Sequence, residues 1–195
     1  MKNKNFYSTK ELLNLNVVVG KNCQISKKVS FYSKEIKIGD RCRIDDDVVF
    51  KGKIQLKNNV HIARGCTLSG DTKGIIMDDF SALSNFVQIF SATDSYSSPS
   101  IPSATIDKEL QIKFSNILKK KIIIGKCVLI GTMCLLLPGA YIGNFSRVGA
   151  FSVVHKKIKS EYFYSTYAGL KSIHNKKIKS SLNQFNKINK FLSND

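Results

Sequence analysis

One spacing runs through most of this chain. Aliphatic or aromatic residues recur at every sixth position: Val19, Ile25 and Phe31; Ile38, Ile44, Phe50, Leu56, Ile62 and Leu68; Met77, Leu83 and Ile89; Ile124, Ile130, Leu136, Ile142, Val148 and Val154. These are eighteen positions in four in-register blocks, with short breaks after Phe31 and Leu68 and a long one between Ile89 and Ile124. A period of six matches neither a helix nor a single long strand. It matches a short strand, a corner and another strand, with one inward side chain per unit. The residue after the inward one is often small or acidic: Gly20, Gly39, Asp45, Ala63, Gly125, Gly131, Gly143, Gly149. Four places after it sits a small or β-branched residue: Cys23, Val29, Cys42, Val48, Cys66, Val87, Val128, Cys134, Ser146, Ser152. Small side chains there let the chain turn while the large one fills the core. Eighteen units, three to a coil, predict six coils of a triangular prism.

Composition narrows the field further. The 195 residues carry 43% hydrophobic content and a formal charge of +17. A polyanion partner needs a reader, and there is no zinc-finger spacing, aromatic RNA-binding signature or helix-turn-helix pattern, so no nucleic acid partner is expected. No apolar run approaches the roughly 20 residues of a membrane span, and Met1 to Lys10 is polar, which together predict a soluble intracellular protein. Four of the five cysteines (Cys23, Cys42, Cys66, Cys134) fall in the small slot, where they read as small buried apolar residues. With no CxxC pair, no HxxxH pattern and only three histidines, no metal site is expected.

The segment IIIGKCVLIGTMCLLLPGAYIGNFSRVGAFSVV, Ile122 to Val154, with its Leu137-Pro138-Gly139 step, resembles the closing coils of the hexapeptide-repeat acyltransferases. Further matches point to their sugar O-acetyltransferase branch, the galactoside and maltose acetyltransferase-like enzymes of surface-polysaccharide synthesis. They are the opening Phe6 to Leu15, Val60-His61-Ile62-Ala63, and Ser91-Ala92-Thr93-Asp94-Ser95-Tyr96-Ser97 followed by Pro99 and Pro102. The resemblance implies an all-β fold, a left-handed parallel β-helix of about six coils at 19–160. A helical lead-in occupies 1–18, where Ser8 and Glu11 suit a capping box. A long excursion at 95–121 implies an arm reaching a neighbouring subunit, and 161–195 forms a turn and an amphipathic helix. That helix is marked by Ile178, Leu182, Phe185, Ile188 and Leu192, and packing on the prism is its expected role. Near the end the chain departs from the family: Ala168, Gly169 and Lys171 remain, but the usual Asn-Pro is Leu170-Lys171.

Acetyl transfer needs a base for the acceptor proton and a donor for the oxyanion. Histidine, whose imidazole titrates near neutrality, is the usual base. His155 and His174 read as surface residues, whereas His61 lies in the family-like VHIA step, at a corner of the third coil, and is the expected base. Asp94 is the second catalytic candidate, orienting the imidazole or an acceptor hydroxyl. Tyr96, Ser84 and Asn85 are the expected acceptor contacts. By coil offset His61 and Asp94 sit at different corners, separated by a face spanning roughly 16 Å. The resemblance implies a homotrimer with inter-subunit sites, in which they meet across the boundary. It also implies acetyl-CoA as donor, along Gly131-Thr132 and Gly149-Ala150, with Lys156 and Lys171 toward the phosphates.

The leading expectation is therefore a cytoplasmic acetyl-CoA-dependent O-acetyltransferase acting on a sugar of a surface polysaccharide or its precursor. Peripheral contact with an anionic inner membrane is a secondary expectation. An N-acetyltransferase of an amino-sugar nucleotide is the alternative. Such relatives usually carry an extra N-terminal nucleotide-binding domain, and only 18 residues precede Val19. A non-catalytic β-helix binding module is the reading of another class. A carbonic anhydrase-type helix needs three ligating histidines on adjoining coils and does not fit. The acceptor itself stays open, because fold does not fix substrate.

Overall fold

The computed structural model describes residues 5–33, 35–167, 169–172 and 175–192, without the side chains of 170–181. Ala168 and His174 lie outside the described residues.

The six-residue spacing builds a left-handed parallel β-helix with three flat faces. The first coil is β1 (Val17–Val19), β2 (Gln24–Ile25) and β3 (Ser30–Phe31), and the second is β4 (Ile36–Ile38), β5 (Arg43–Ile44) and β6 (Val49–Lys51). The third is β7 (Ile54–Leu56), β8 (His61–Ile62) and β9 (Thr67–Ser69), and the fourth β10 (Ile75–Met77), β11 (Ala82–Leu83) and β12 (Gln88–Phe90). There the chain leaves as an antiparallel ribbon, β13 (Ala92–Asp94) and β14 (Ile117–Lys119). It returns for a fifth coil, β15 (Ile122–Ile124), β16 (Leu129–Ile130) and β17 (Leu135–Leu136), and a sixth, β18 (Tyr141–Ile142), β19 (Arg147–Val148) and β20 (Val153–Val154). A partial seventh coil, β21 (Lys157–Ile158) and β22 (Tyr162–Ser165), ends when β23 (Gly169–Ser172) pairs antiparallel to β22. Strands β1, β4, β7, β10, β15, β18 and β21 make the first face, β2 through β22 the second, and β3 through β20 the third.

The expected inward residues are buried, except that Val19 and Phe31 in the open first coil are only partly covered. A second inward set went unread in the sequence. On the first face the residue two places earlier is also large and buried: Val17, Ile36, Ile54, Ile75 and Ile122. The breaks in the repeat fall immediately before first-face strands, which disguises this alternation. On the other two faces the matching place is the small slot. Its cysteines are more than small apolar residues, because each thiol donates to a carbonyl one coil on. Cys23 Sγ reaches Gly39 O at 3.0 Å, Cys42 Sγ reaches Lys57 O at 3.1 Å, Cys66 Sγ reaches Ser84 O at 3.1 Å and Cys134 Sγ reaches Gly149 O at 3.0 Å. Ser146 Oγ does the same to Lys159 O at 2.9 Å.

The corner residue three places after an inward one takes positive φ in most units, whatever its side chain. Asn22, Arg41, Asp47 and Asn59 do so, and so do Phe80, Phe86, Cys127, Met133, Phe145 and Phe151. Bulky residues seldom adopt this region, so the coil geometry imposes it. The fifth cysteine, Cys127, belongs to this series rather than to the small slot.

Helix α1 (Thr9–Asn14) has the expected capping box: Ser8 Oγ accepts from Glu11 N, and Glu11 Oε2 accepts from Ser8 N at 2.7 Å. Helix α2 (Lys108–Phe114) sits within the excursion, which is thus a built arm rooted in a ribbon and not a plain loop. Helix α3 (Asn175–Leu192) lies on the prism through Phe185, whose ring meets Phe80 at 5.3 Å and Phe145 at 6.2 Å, edge-on to both. Of the residues that mark this helix, the side chain of Ile178 is outside the described set.

Candidate active site

The two expected catalytic residues, His61 and Asp94, fall in separate clefts on different faces. Arg43, His61, Ala82 and Leu129 are successive rungs of the second face. Because the rung beyond His61 is a mere alanine, the imidazole borders a recess of about 420 Å³ that also includes Ala63, Ser84, Asn85 and Thr132. His61 begins β8 and points out from the face instead of standing at the corner itself. His61, Ser84, Asn85 and Thr132 are thereby brought together. Thr132 Oγ1 donates to Asn85 O at 2.9 Å and ties the fifth coil to the fourth.

One partner of the cleft's histidine escaped the sequence reading. Asp45 Oδ2 lies 3.0 Å from His61 Nε2, while its Oδ1 accepts from Arg43 Nε at 2.8 Å. A carboxylate only accepts, so this pairing assigns the proton to Nε2 and leaves the Nδ1 lone pair to take one. The signal was present: Asp45 and His61 both occupy outward positions of the second face on consecutive coils.

Asp94 lies elsewhere. Both of its oxygens accept from Ser103 N–H, at 3.1 and 3.2 Å, which ties the carboxylate to the arm's own turn. It lines a cleft of about 610 Å³ between the third face and the ribbon, with Tyr32, Glu35, Lys51, Asp71 and Lys119. Lys119 Nζ pairs with Asp71 at 3.1 Å. The two clefts share no lining residue. Tyr96 is 87% exposed, its hydroxyl accepting from Thr93 Oγ1 at 3.3 Å.

Among the residues expected to hold the donor, the Gly131 and Gly149 N–H groups are already spent on Val148 O and Tyr164 O, at 2.9 and 2.8 Å. A Cβ on Gly131 would stand 2.5 Å from Ala150 N, so stacking of the coils requires glycine there. These two glycines therefore offer shape, not backbone donors. Ala150 follows in the exposed turn. Lys156 is exposed, with Nζ 5.4 Å from the Tyr164 ring centre. Lys171 stands on β23 opposite Phe163, its side chain outside the described set. His155 is exposed between β20 and β21. Among the described residues no group of three His, Cys, Asp or Glu is placed to hold a metal, and no helix is long and apolar enough to cross a membrane.

No family model matches the chain. It is 34% identical over 140 residues to the dTDP-4-amino-4,6-dideoxy-D-glucose acyltransferase of Escherichia coli, which is 70% of either chain. It resembles AntD, an N-acyltransferase from Bacillus cereus, with 33% identity and a TM-score of 0.84, over 94% of this chain and 98% of that one. AntD has been solved with dTDP and coenzyme A, and with dTDP and 3-hydroxybutyryl-CoA. The acetyltransferase domain of PglB from Neisseria gonorrhoeae shares the fold at 15% identity and a TM-score of 0.56, over 77% of this chain and 57% of that one. Repeat, prism and relatives agree, and the chain belongs to the hexapeptide-repeat, left-handed β-helix acyltransferases.

Proposed function

We propose that this protein transfers an acyl group from acyl-coenzyme A to the amine of a dTDP-linked amino sugar. The observation that carries this reading is the likeness to AntD over nearly its whole length. The O-acetyl expectation leaned on nucleotide-sugar relatives having an additional N-terminal domain. AntD is an N-acyltransferase whose solved chain is matched over 98% of its length, so that argument gives way and the amine becomes the preferred acceptor. Acetyl-CoA remains the first donor to try, with 3-hydroxybutyryl-CoA beside it.

In this reading His61 Nδ1 takes a proton from the attacking amine as its nitrogen bonds to the thioester carbon. The carbon–sulfur bond then breaks, and the proton leaves with the coenzyme A thiolate. Asp45 holds the imidazole in the tautomer this requires. Ser84 and Asn85 line the recess beside His61 and serve as donors to the developing oxyanion in this reading. Lys156 and Lys171 serve the donor phosphates.

Each cleft is open in a single chain, which supports assembly into a homotrimer whose neighbouring subunit brings Asp94 and Tyr96 to His61. Two corner stripes favour the same assembly. Phe80 and Phe145 are covered by Phe185 of α3, but the equivalent stripe of Phe86, Met133 and Phe151 is exposed. The arm likewise exposes Leu110, Ile112 and Phe114. A sugar nucleotide and an acyl-coenzyme A as substrates support a cytoplasmic location.

The test is thiol release from acetyl-CoA and 3-hydroxybutyryl-CoA with dTDP-amino sugars, free amino sugars and hydroxyl-only glycosides, alongside the mass of the assembly by light scattering. Turnover confined to the dTDP-amino sugars is the expected result. Turnover with hydroxyl-only acceptors would restore O-acetylation, and no turnover with any pair would leave a binding module.

A further inference from the structure

Outside both clefts, Cys23 and Cys42 occupy the same slot of consecutive coils, one residue before β2 and β5. Those strands run in register, Gln24 beside Arg43 and Ile25 beside Ile44. Neighbouring parallel strands lie about 4.8 Å apart, within the roughly 4.4–6.8 Å Cα separation a disulfide spans. Cys42 N–H donates to Cys23 Sγ at 3.4 Å. The Cys42 side chain beside it, and after it this N–H, hold the Cys23 thiol below its ordinary value, against the opposing effects of burial and of Asp40. The same contact and burial push Cys42 up. Burial raises Cys66 to about 11 and pushes Cys127 and Cys134 upward. Access follows the same order. Cys23 is half-buried and lines a recess of about 450 Å³ with Tyr7, Leu12, Asn22 and Asp40, while Cys42 is buried behind it.

We infer that Cys23 is a peroxide-reactive site and that Cys42 resolves it, closing a disulfide between the first and second coils. The Cys23 thiolate attacks one oxygen of hydrogen peroxide; the O–O bond breaks, the departing hydroxide is protonated to water, and a sulfenic acid remains. The Cys42 sulfur then attacks the Cys23 sulfur, and the sulfenic oxygen leaves as water carrying the Cys42 proton. Both thiols give up their carbonyl partners, Gly39 O and Lys57 O, to form the bond.

The test treats the folded, full-length protein with hydrogen peroxide, followed by non-reducing peptide mapping, with dimedone present in parallel. The expected result is a linked Cys23–Cys42 peptide in the wild type, and a dimedone adduct on Cys23 in Cys42→Ala. Before oxidation, iodoacetamide at neutral pH should label Cys23 at least about tenfold faster than Cys127, the other half-buried thiol. This labelling needs no variant, so it stands even if a substitution disturbs folding. Oxidation beginning at Cys127, equal labelling of the two, or a Cys23 sulfenic acid that persists in the wild type without linking would each overturn the inference.

Discussion

Asp45→Asn keeps the side chain's volume but removes the charge that accepts from His61 Nε2 at 3.0 Å. A hydrogen bond to a charged group contributes about 1.5–3 kcal/mol and a neutral one about 0.5–1.5, so the exchange forfeits roughly 1–1.5 kcal/mol in a dry site. The His61 side chain is 41% exposed, and solvent screening reduces the loss to about 1 kcal/mol. At about 1.4 kcal/mol per decade that is roughly a fivefold fall in kcat. KM for the acceptor should hold, because Asp45 acts through His61 and not on the sugar. His61→Ala removes the proton acceptor itself and should lower kcat by about 10²–10⁴. The double variant should be no slower than His61→Ala alone. The assay is initial-rate thiol release under saturating acyl-CoA with a dTDP-amino sugar varied. Full turnover in His61→Ala, or a double variant slower by the product of the single effects, would refute this account of the pair.

Three further perturbations test other parts of the molecule. Glu11 is held down to about 2, chiefly by Lys27 and then by Ser8, from an ordinary 4.5. A depressed carboxyl contributes stability that is present above its unfolded value and lost as pH falls through the folded one. The protection of the α1 amides, taken against their intrinsic exchange rates at each pH, should therefore fall between about pH 4.5 and 2, and Glu11→Gln should flatten that dependence. Gly65→Ala introduces a Cβ at φ +71, against the Phe86 ring; a loss of about 1–3 kcal/mol is expected from urea midpoints, and an unchanged midpoint would mean the ring simply swings away. Met133→Asp places charge in the exposed stripe and should shift the assembly toward monomer by light scattering without changing the far-ultraviolet spectrum.

The prism was legible because its inward residues repeat at a fixed interval, so a single rule located nearly the whole core. The second inward set of the first face was hidden by inserted residues ahead of Ile36, Ile75 and Ile122, which break the count at the places where it matters. The capping box at Ser8 and Glu11 is a local rule and could be read directly. The site was only partly readable, for a related reason. His61 and Thr132 belong to different coils, and their proximity follows from register across some seventy residues and an intervening arm. Asp45 reads from the sequence merely as the acidic residue after an inward one, because a linear count of six does not reveal diagonal neighbours on a face. The thiol-to-carbonyl bonds of the small slot were equally invisible, since small size alone accounts for the pattern there.

The reversal at β23 has a consequence for more than one molecule. A stack of parallel coils ends, in principle, in a bare rim of backbone donors and acceptors on each face, and such a rim is a template onto which another chain can add. Here the last strand of the second face is met by β23 running the opposite way, so an incoming parallel coil finds the direction wrong and that register taken. The other end is plugged by the α1 segment, where Phe6 bridges to Ser26 and Tyr7 N–H donates to Ile25 O. The second face is thus closed at both of its ends to growth along the axis. A chain shortened before Gly169 would present β22 as a free edge and should seed filaments, turning a discrete enzyme into a polymer.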